Sequence, residues 1–300
     1  SYYRNLGLTD IERQYFGTEE SEALINWLQQ NAGPGREKPF FLWFHSTVVH
    51  QPYRPKPEDL PAPREELEKS EGVRAVLNGA IVPQGSAEFQ PEDKPVLDQL
   101  YDAEMRRMDA TFRDALEILQ DRNLVDSTLI IVTADHGEEL LDHGFVGHAS
   151  TSLEARLYEE FIHIPLMLSW PGHVPEGEVV RNPVSQIDLL PTILLLFEFA
   201  VPDWIQGRDL FDSSPDRPLF FESVIAGNQT PKEREDEWVR AIRKGRYKYI
   251  STGELYDLLL DPGEQTNLHD EMPELAQRLS TALEEWTAET AAAADKLFPT

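Results

Sequence analysis

Short apolar runs alternating with amphipathic helices predict an α/β fold: a mainly parallel sheet with helices on both faces, plus a small C-terminal antiparallel sheet with a helix. Three observations carry that reading. Pro39–Phe44 (PFFLWF) and Thr128–Thr133 (TLIIVT) are strand-length runs of the kind buried on both faces. Thr18–Gln30 and Leu97–Gln120 repeat apolar residues at helical spacing. After Gly207 the texture changes, and Trp238–Arg243 and Tyr247–Ile250 alternate apolar and polar side chains about a Lys244-Gly245 turn. The expected boundaries are 1–210 for the α/β body and 211–300 for a small α+β subdomain.

Taken in order, the chain opens on Ser1-Tyr2-Tyr3-Arg4, which has neither an initiator Met nor a signal-peptide apolar region, so position 1 reads as the middle of a longer gene product. The first helix has Thr18 as its N-cap, Ala23, Leu24, Trp27 and Leu28 on its apolar face, and Gly33-Pro34-Gly35 as its stop. His45 and His50 lie just beyond the strand at 39–44. Residues 51–94, rich in Pro, Glu and Asp, read as a long surface excursion of the kind that forms lids. In the next helix Leu97, Tyr101, Met105, Met108, Phe112, Leu116 and Leu119 form the predicted core stripe. The strand at 128–133 ends in Ala134-Asp135-His136-Gly137, and a further buried strand is expected at Ile164–Trp170. Asp188 reads as the N-cap of an apolar helix whose first turn tolerates Pro191. Leu255–Leu258 follows the C-terminal hairpin, and Pro273–Trp286 closes it as an amphipathic helix.

Composition removes several functions. A net charge of -27 leaves no basic stripe for gripping nucleic-acid phosphates, and it disfavours anionic membrane surfaces. The chain has no cysteine, hence no disulfide, thiolate metal site or cysteine nucleophile within it. No stretch approaches the roughly 20 apolar residues of a membrane span. The compartment stays open.

In open α/β sheets ligands sit outside the carboxyl ends of the strands, and Asp135-His136-Gly137 emerges there. A carboxylate beside an imidazole offers a hard oxygen and a borderline nitrogen to a divalent cation. An Asp capping the next helix with an exposed His beside it explains the tripeptide about as well. The continuation tips the balance: Glu138-Glu139-Leu140-Leu141-Asp142-His143-Gly144-Phe145-Val146-Gly147-His148, then Leu157-Tyr158-Glu159-Glu160 and Ile164-Pro165-Leu166. This run resembles the sulfatase family of the alkaline-phosphatase superfamily. The resemblance extends, in family order, through Pro39-Phe40-Phe41-Leu42 with His50-Gln51-Pro52-Tyr53, Trp170-Pro171-Gly172 and Ile187–Thr192. It continues to Arg243–Tyr249, Glu254–Leu258, Asp261-Pro262-Gly263-Glu264 and Asn267-Leu268.

The resemblance implies an alkaline-phosphatase-like fold and hydrolysis of a small-molecule or saccharide sulfate ester. It implies Asp135 and His136 as ligands of a divalent metal, with Ca²⁺ preferred and Mg²⁺ or Mn²⁺ as alternatives. His50 then matches the histidine that contacts the sulfate, and His148 the Lys or His near the leaving oxygen. The family's formylglycine nucleophile, two more carboxylate ligands and a Lys/His pair lie before the blocks seen here, so the resemblance implies a missing N-terminal segment of the same protein and a chain inactive by itself. Ser213-Ser214-Pro215-Asp216-Arg217 fits the nucleophile pattern loosely but stands in the wrong order. His45 and His143 read as structural or loop-shaping residues, and His163 as a packing or surface residue. Two alternatives stay open: a phosphonate monoester or phosphodiester hydrolase of the same superfamily, and a non-catalytic relative that kept the fold.

Overall fold

The computed structural model describes residues 18–33, 38–79, 87–148, 156–212, 217–224 and 238–297. The Thr18 side chain and the Ser213–Asp216 stretch lie outside the described residues. The chain divides into two compact units, residues 1–152 with 165–176 and residues 153–164 with 177–300.

In the first unit, helix α1 (Thr18–Asn31) packs on the long helix α4 (Lys94–Asp121) through Leu24, Leu28, Ala115 and Leu119. Phe40, Leu42 and Phe44 join that cluster, whereas Phe41 and Trp43 are 81% and 65% exposed. The two-residue period is that of a strand, yet a single face is covered, and among the described residues no ladder forms along it. The described part of the excursion after His50 is not a surface loop. Short helices α2 (Arg64–Leu67) and α3 (Glu71–Asn78) bury Leu67, Val73, Val76 and Leu77 with Tyr53, Leu97 and Leu100 in a second cluster. Ser70 caps α3 by accepting from the Val73 N–H at 3.3 Å.

Strand β1 (Ile130–Thr133) is followed by a two-rung hairpin, β2 (Glu139–Leu140) and β3 (Val146–Gly147), and later by β4 (Leu166–Ser169). β1 and β4 pair antiparallel, with Ile130 opposite Ser169. Every strand pairing among the described residues is antiparallel, and the expected mainly parallel sheet is not seen among them. The expected burial on both faces is corrected too. β4 alternates half-buried and exposed, with Met167 57% exposed, because one face packs and the other has no cover within this unit.

The core stripe of α4 is also rotated from the one expected. Its buried positions are Leu97, Leu100, Ala103, Glu104, Thr111, Ala115 and Leu119, while Met105 is exposed. Glu104 lies on the inner face because it accepts the Arg54 N–H, whereas Thr111 bonds Ser21 and Ala115 packs against α1.

In the second unit, after helices α5 (Glu159–Ile162) and α6 (Leu189–Leu196), four strands form an antiparallel sheet: β5 (Leu219–Val224), β6 (Trp238–Lys244), β7 (Tyr247–Ile250) and β8 (Glu254–Asp257), in that order. The β6–β7 turn falls where alternation placed it, and Gly245 there has a φ of +59°, a conformation that favours glycine. Helix α7 (Pro273–Leu297) lays Ala276, Leu279 and Leu283 on Ile242, Tyr249 and Leu255. It runs past the expected end at Trp286 because Ala291–Ala294 are strong helix formers. Asp188 sits at the N-cap of α6, but its carboxylate bonds to the backbone N–H groups of Ser185 and Arg208 and to the Arg217 guanidinium. Asp188 therefore closes a capping box with Ser185 on the turn that leads into α6, and ties the loop at Arg208 and Arg217 to it.

Candidate functional site

Four sequence-predicted residues, His50, Asp135, His136 and His148, all fall in the first unit, and three of their rings converge. His148 lies between the other two, with ring centroids 4.8 Å from His50 and 4.5 Å from His136. Each is delivered by a different local device.

His50 ends a turn in which its N–H bonds to Thr47 O at 3.0 Å. Glu20, in the first turn of α1, fixes that turn by accepting from the Thr47 N–H at 2.9 Å and the Thr47 hydroxyl at 2.8 Å. On the other side, the buried Glu104 carboxylate accepts the Arg54 N–H at 2.6 Å and pairs with Arg107 at 2.9 Å. Burial pushes the Glu104 carboxyl up, opposed by the Arg107 charge and the Arg54 N–H. Buried Tyr53 anchors the segment between them.

Asp135 and His136 follow β1 directly. The His136 N–H bonds to Asp135 Oδ1 at 3.1 Å, and its Nδ1 donates to Gly137 O at 2.7 Å, which leaves Nε2 carrying the ring's electron pair. That Nε2 lies 3.8 Å from Asp135 Oδ2, and the Asp135 side chain is 63% exposed. Two donors at about 2.0–2.6 Å from one cation span such a separation, so the pair fits part of a divalent-metal site. Among the described residues no third His, Asp or Glu completes a set.

His148 follows β3. The β2–β3 hairpin reverses through Leu141 and Gly144, both at positive φ, with Leu141 N–H bonded to Phe145 O at 2.7 Å. Lys94, at the start of α4, grips the hairpin through Leu140 O at 3.2 Å and Asp142 at 3.1 Å. Val146 and Leu140 pack with Tyr53 and Leu97. α4 thus holds both the segment after His50 and the hairpin before His148, and this common support brings histidines distant in sequence together.

Glu138 belongs to this cluster and sequence reasoning passed over it. Its side chain is 6% exposed, and Oε1 stands 3.3 Å from Nδ1 of His148, which is 8% exposed. Burial first, and the Glu138 charge second, push the Tyr53 hydroxyl well above its ordinary value. Of the other histidines weighed in the sequence, His45 and His163 are exposed, and His143 is half-buried in the hairpin turn.

Comparison with known proteins bears on what this arrangement is for. The family model described as Sulfatase matches residues 2–199, and that described as N-sulphoglucosamine sulphohydrolase, C-terminal, matches residues 154–289. Mouse arylsulfatase K is 27% identical over 203 residues, covering 61% of this chain and 34% of the relative. The N-acetylgalactosamine-6-O-sulfatase of Bacteroides thetaiotaomicron is 24% identical over 284 residues, covering 83% and 47%. This chain thus spans between a third and a half of these two relatives' length. Among solved structures, a phosphonate monoester hydrolase from Silicibacter pomeroyi superposes with a TM-score of 0.67 at 22% identity, covering 91% of this chain and 60% of that one. A protein solved with its substrate D-glucosamine-2-N,6-O-disulfate gives 0.61 at 21% identity, covering 91% and 69%. At such identities the likeness shows an alkaline-phosphatase-like fold.

Proposed function

The chain belongs to the sulfatase family, and from that premise we propose that it forms the metal-binding and leaving-group side of a sulfuric ester hydrolase. The substrate is a small-molecule or saccharide sulfate ester. The observation that carries the reading is the convergence of His50, His136 and His148 beside Asp135 at the end of β1.

Asp135 and His136 Nε2 would hold the divalent cation, Ca²⁺ in preference to Mg²⁺ or Mn²⁺. When bound, the ion neutralises the ester oxygens. His50 contacts the sulfate through Nε2, since its Nδ1 donates to Gln51 O at 2.5 Å. His148, carrying a hydrogen on both ring nitrogens, gives the one on Nε2 to the bridging oxygen as the bond to sulfur breaks, so that the alcohol departs neutral and the ring is left with its Nδ1 hydrogen. The formylglycine nucleophile and the remaining carboxylate ligands come from an upstream segment of the same protein. That segment also completes the mainly parallel sheet, for which the exposed side chains of Phe41, Trp43 and Met167 offer a waiting apolar face. The 300-residue chain by itself then turns over no ester.

The test is Asp135→Ala in the full-length gene product, with turnover of a sulfate ester and bound metal measured together. Turnover should be abolished and metal lost. Full metal retention with undiminished turnover would overturn the assignment. The second reading, phosphonate monoester or phosphodiester hydrolysis, shares fold and metal pair. Comparing kcat/KM on sulfate and phosphonate esters of one leaving group separates the two, and absence of turnover on both favours a non-catalytic relative.

A further inference from the structure

We infer that Glu138 is a positioning residue for His148, its carboxylate accepting the Nδ1 hydrogen and leaving Nε2 as the nitrogen that exchanges a proton. For its catalytic meaning this rests on the general-acid reading of His148; the pairing itself stands on geometry. In the β2–β3 ladder Glu139 is opposite Gly147. Glu138 and His148 are therefore the next residues out on the two strands, and the register that forms the hairpin also sets them side by side. The 3.3 Å approach of Oε1 to Nδ1 occurs between side chains that are 6% and 8% exposed. A carboxylate taken out of water at such a depth needs a donor, and a ring N–H supplies one.

The two neighbouring rings supply a second argument. His136 donates Nδ1 to Gly137 O at 2.7 Å and His50 donates Nδ1 to Gln51 O at 2.5 Å. Both are anchored at Nδ1 by the carbonyl of the following residue, so both present Nε2 to the chemistry. His148 shares that orientation only if its own Nδ1 is the anchored nitrogen, and Glu138 is the acceptor at that atom. One tautomer then serves all three rings: Nδ1 held, Nε2 working.

Imidazole ¹⁵N NMR of the purified full-length gene product tests the pairing without any need for turnover. The pH is raised until the imidazole ¹⁵N signals stop moving, so that the rings are neutral, and His148 is assigned through the signal lost in His148→Gln. His148 should be the Nδ1–H tautomer in the wild type. It should remain so in Glu138→Gln, whose amide oxygen still accepts, and shift towards the Nε2–H tautomer in Glu138→Leu. The His50 and His136 signals report whether the fold is kept. An Nε2–H tautomer in the wild type overturns the inference. So does an Nδ1–H tautomer that Glu138→Leu leaves untouched while the other signals hold. Where Glu138→Leu does not fold, the wild type and Glu138→Gln decide. In the full-length gene product, Glu138→Leu should lower kcat roughly 10- to 100-fold with KM unchanged, and should add nothing to His148→Ala. Additive losses overturn the positioning role, whereas a wild type without turnover counts against the hydrolase reading and leaves the NMR result standing.

Discussion

Each unit of the chain buries a carboxylate against a nitrogen, and the two pairs are built to opposite ends. In the second unit Lys248 and Glu264 are both 0% exposed and 2.6 Å apart. Lys248 also donates to Leu157 O at 2.8 Å and to Glu159 at 3.1 Å, and Glu264 accepts the Glu159 N–H at 2.6 Å. The charges close on one another and on the backbone of a single segment, so the cluster is a lock that pins residues 157–159 to β7. In the first unit Glu138 meets a ring, not an ammonium, and a ring has a second nitrogen. The carboxylate engages Nδ1 of His148, and Nε2 is the nitrogen to which the reading proposed above gives the chemistry. The contrast teaches that a buried charge does not by itself mark a functional site; what matters is whether its partner keeps an atom for something else.

The sharpest way to break this contrast is through the lock. Lys248→Ala strands the buried Glu264 carboxylate, while Glu159 keeps Arg243 at 3.4 Å, and should cost about 3–5 kcal/mol in urea unfolding. Lys248→Met combined with Glu264→Leu should cost clearly less, because the uncompensated charge goes with its partner. A single Lys248→Ala tolerated within about 0.5 kcal/mol would show that the cluster is not a lock. Next in size is Glu104→Ala, which takes the acceptor from the Arg54 N–H and the partner from Arg107, and should cost about 1–3 kcal/mol.

The smallest effect is a pH dependence. Burial raises the Glu104 carboxyl above its ordinary value of 4.5, against the pull of Arg107 and the Arg54 N–H. The folded protein therefore holds that proton more tightly than the unfolded chain does. The group's contribution to stability is present at low pH and is lost as pH rises from 4.5 through the folded value. Glu104→Gln lacks this titration, so its stability should gain on the wild type across that window. Parallel curves for the two proteins would contradict it.

What could be read from the sequence divides along similar lines. The C-terminal hairpin was legible because its signals are local: period-two alternation in Trp238–Arg243 and Tyr247–Ile250 and a glycine between them. The place of Asp135 and His136 at the end of β1 was legible from the apolar run before them, while the role proposed for them came from the family resemblance of the residues that follow. Glu104, Lys248 and Glu138 were not, since each is a charged residue whose burial depends on a partner 10 to 50 positions away in the chain. A hydrophobic pattern places such residues outside, so the α4 stripe came out rotated, with Met105 inside and Glu104 out. The parallel sheet was inferred from apolar runs that require cover on both faces. Phe41, Trp43 and Met167 are instead largely exposed, so each run packs mainly on one face. The excursion at 51–94 was misread because Pro and Glu mask the apolar Tyr53, Val73, Val76 and Leu77 that carry it into the core.

The central claim is that His148 works as a proton donor from a ring held in place, and leaving-group dependence tests it most directly. Rates of the full-length gene product and of its His148→Ala variant are compared on an activated aryl sulfate and on an alkyl or sugar sulfate, with bound metal measured in parallel. A proton donor matters most when the departing alkoxide is basic and least when it is a stabilised phenolate. His148→Ala should therefore keep the metal and lose rate mainly on the alkyl or sugar ester. Equal losses on both esters would contradict the account and leave His148 as a residue that shapes the site without giving up a proton.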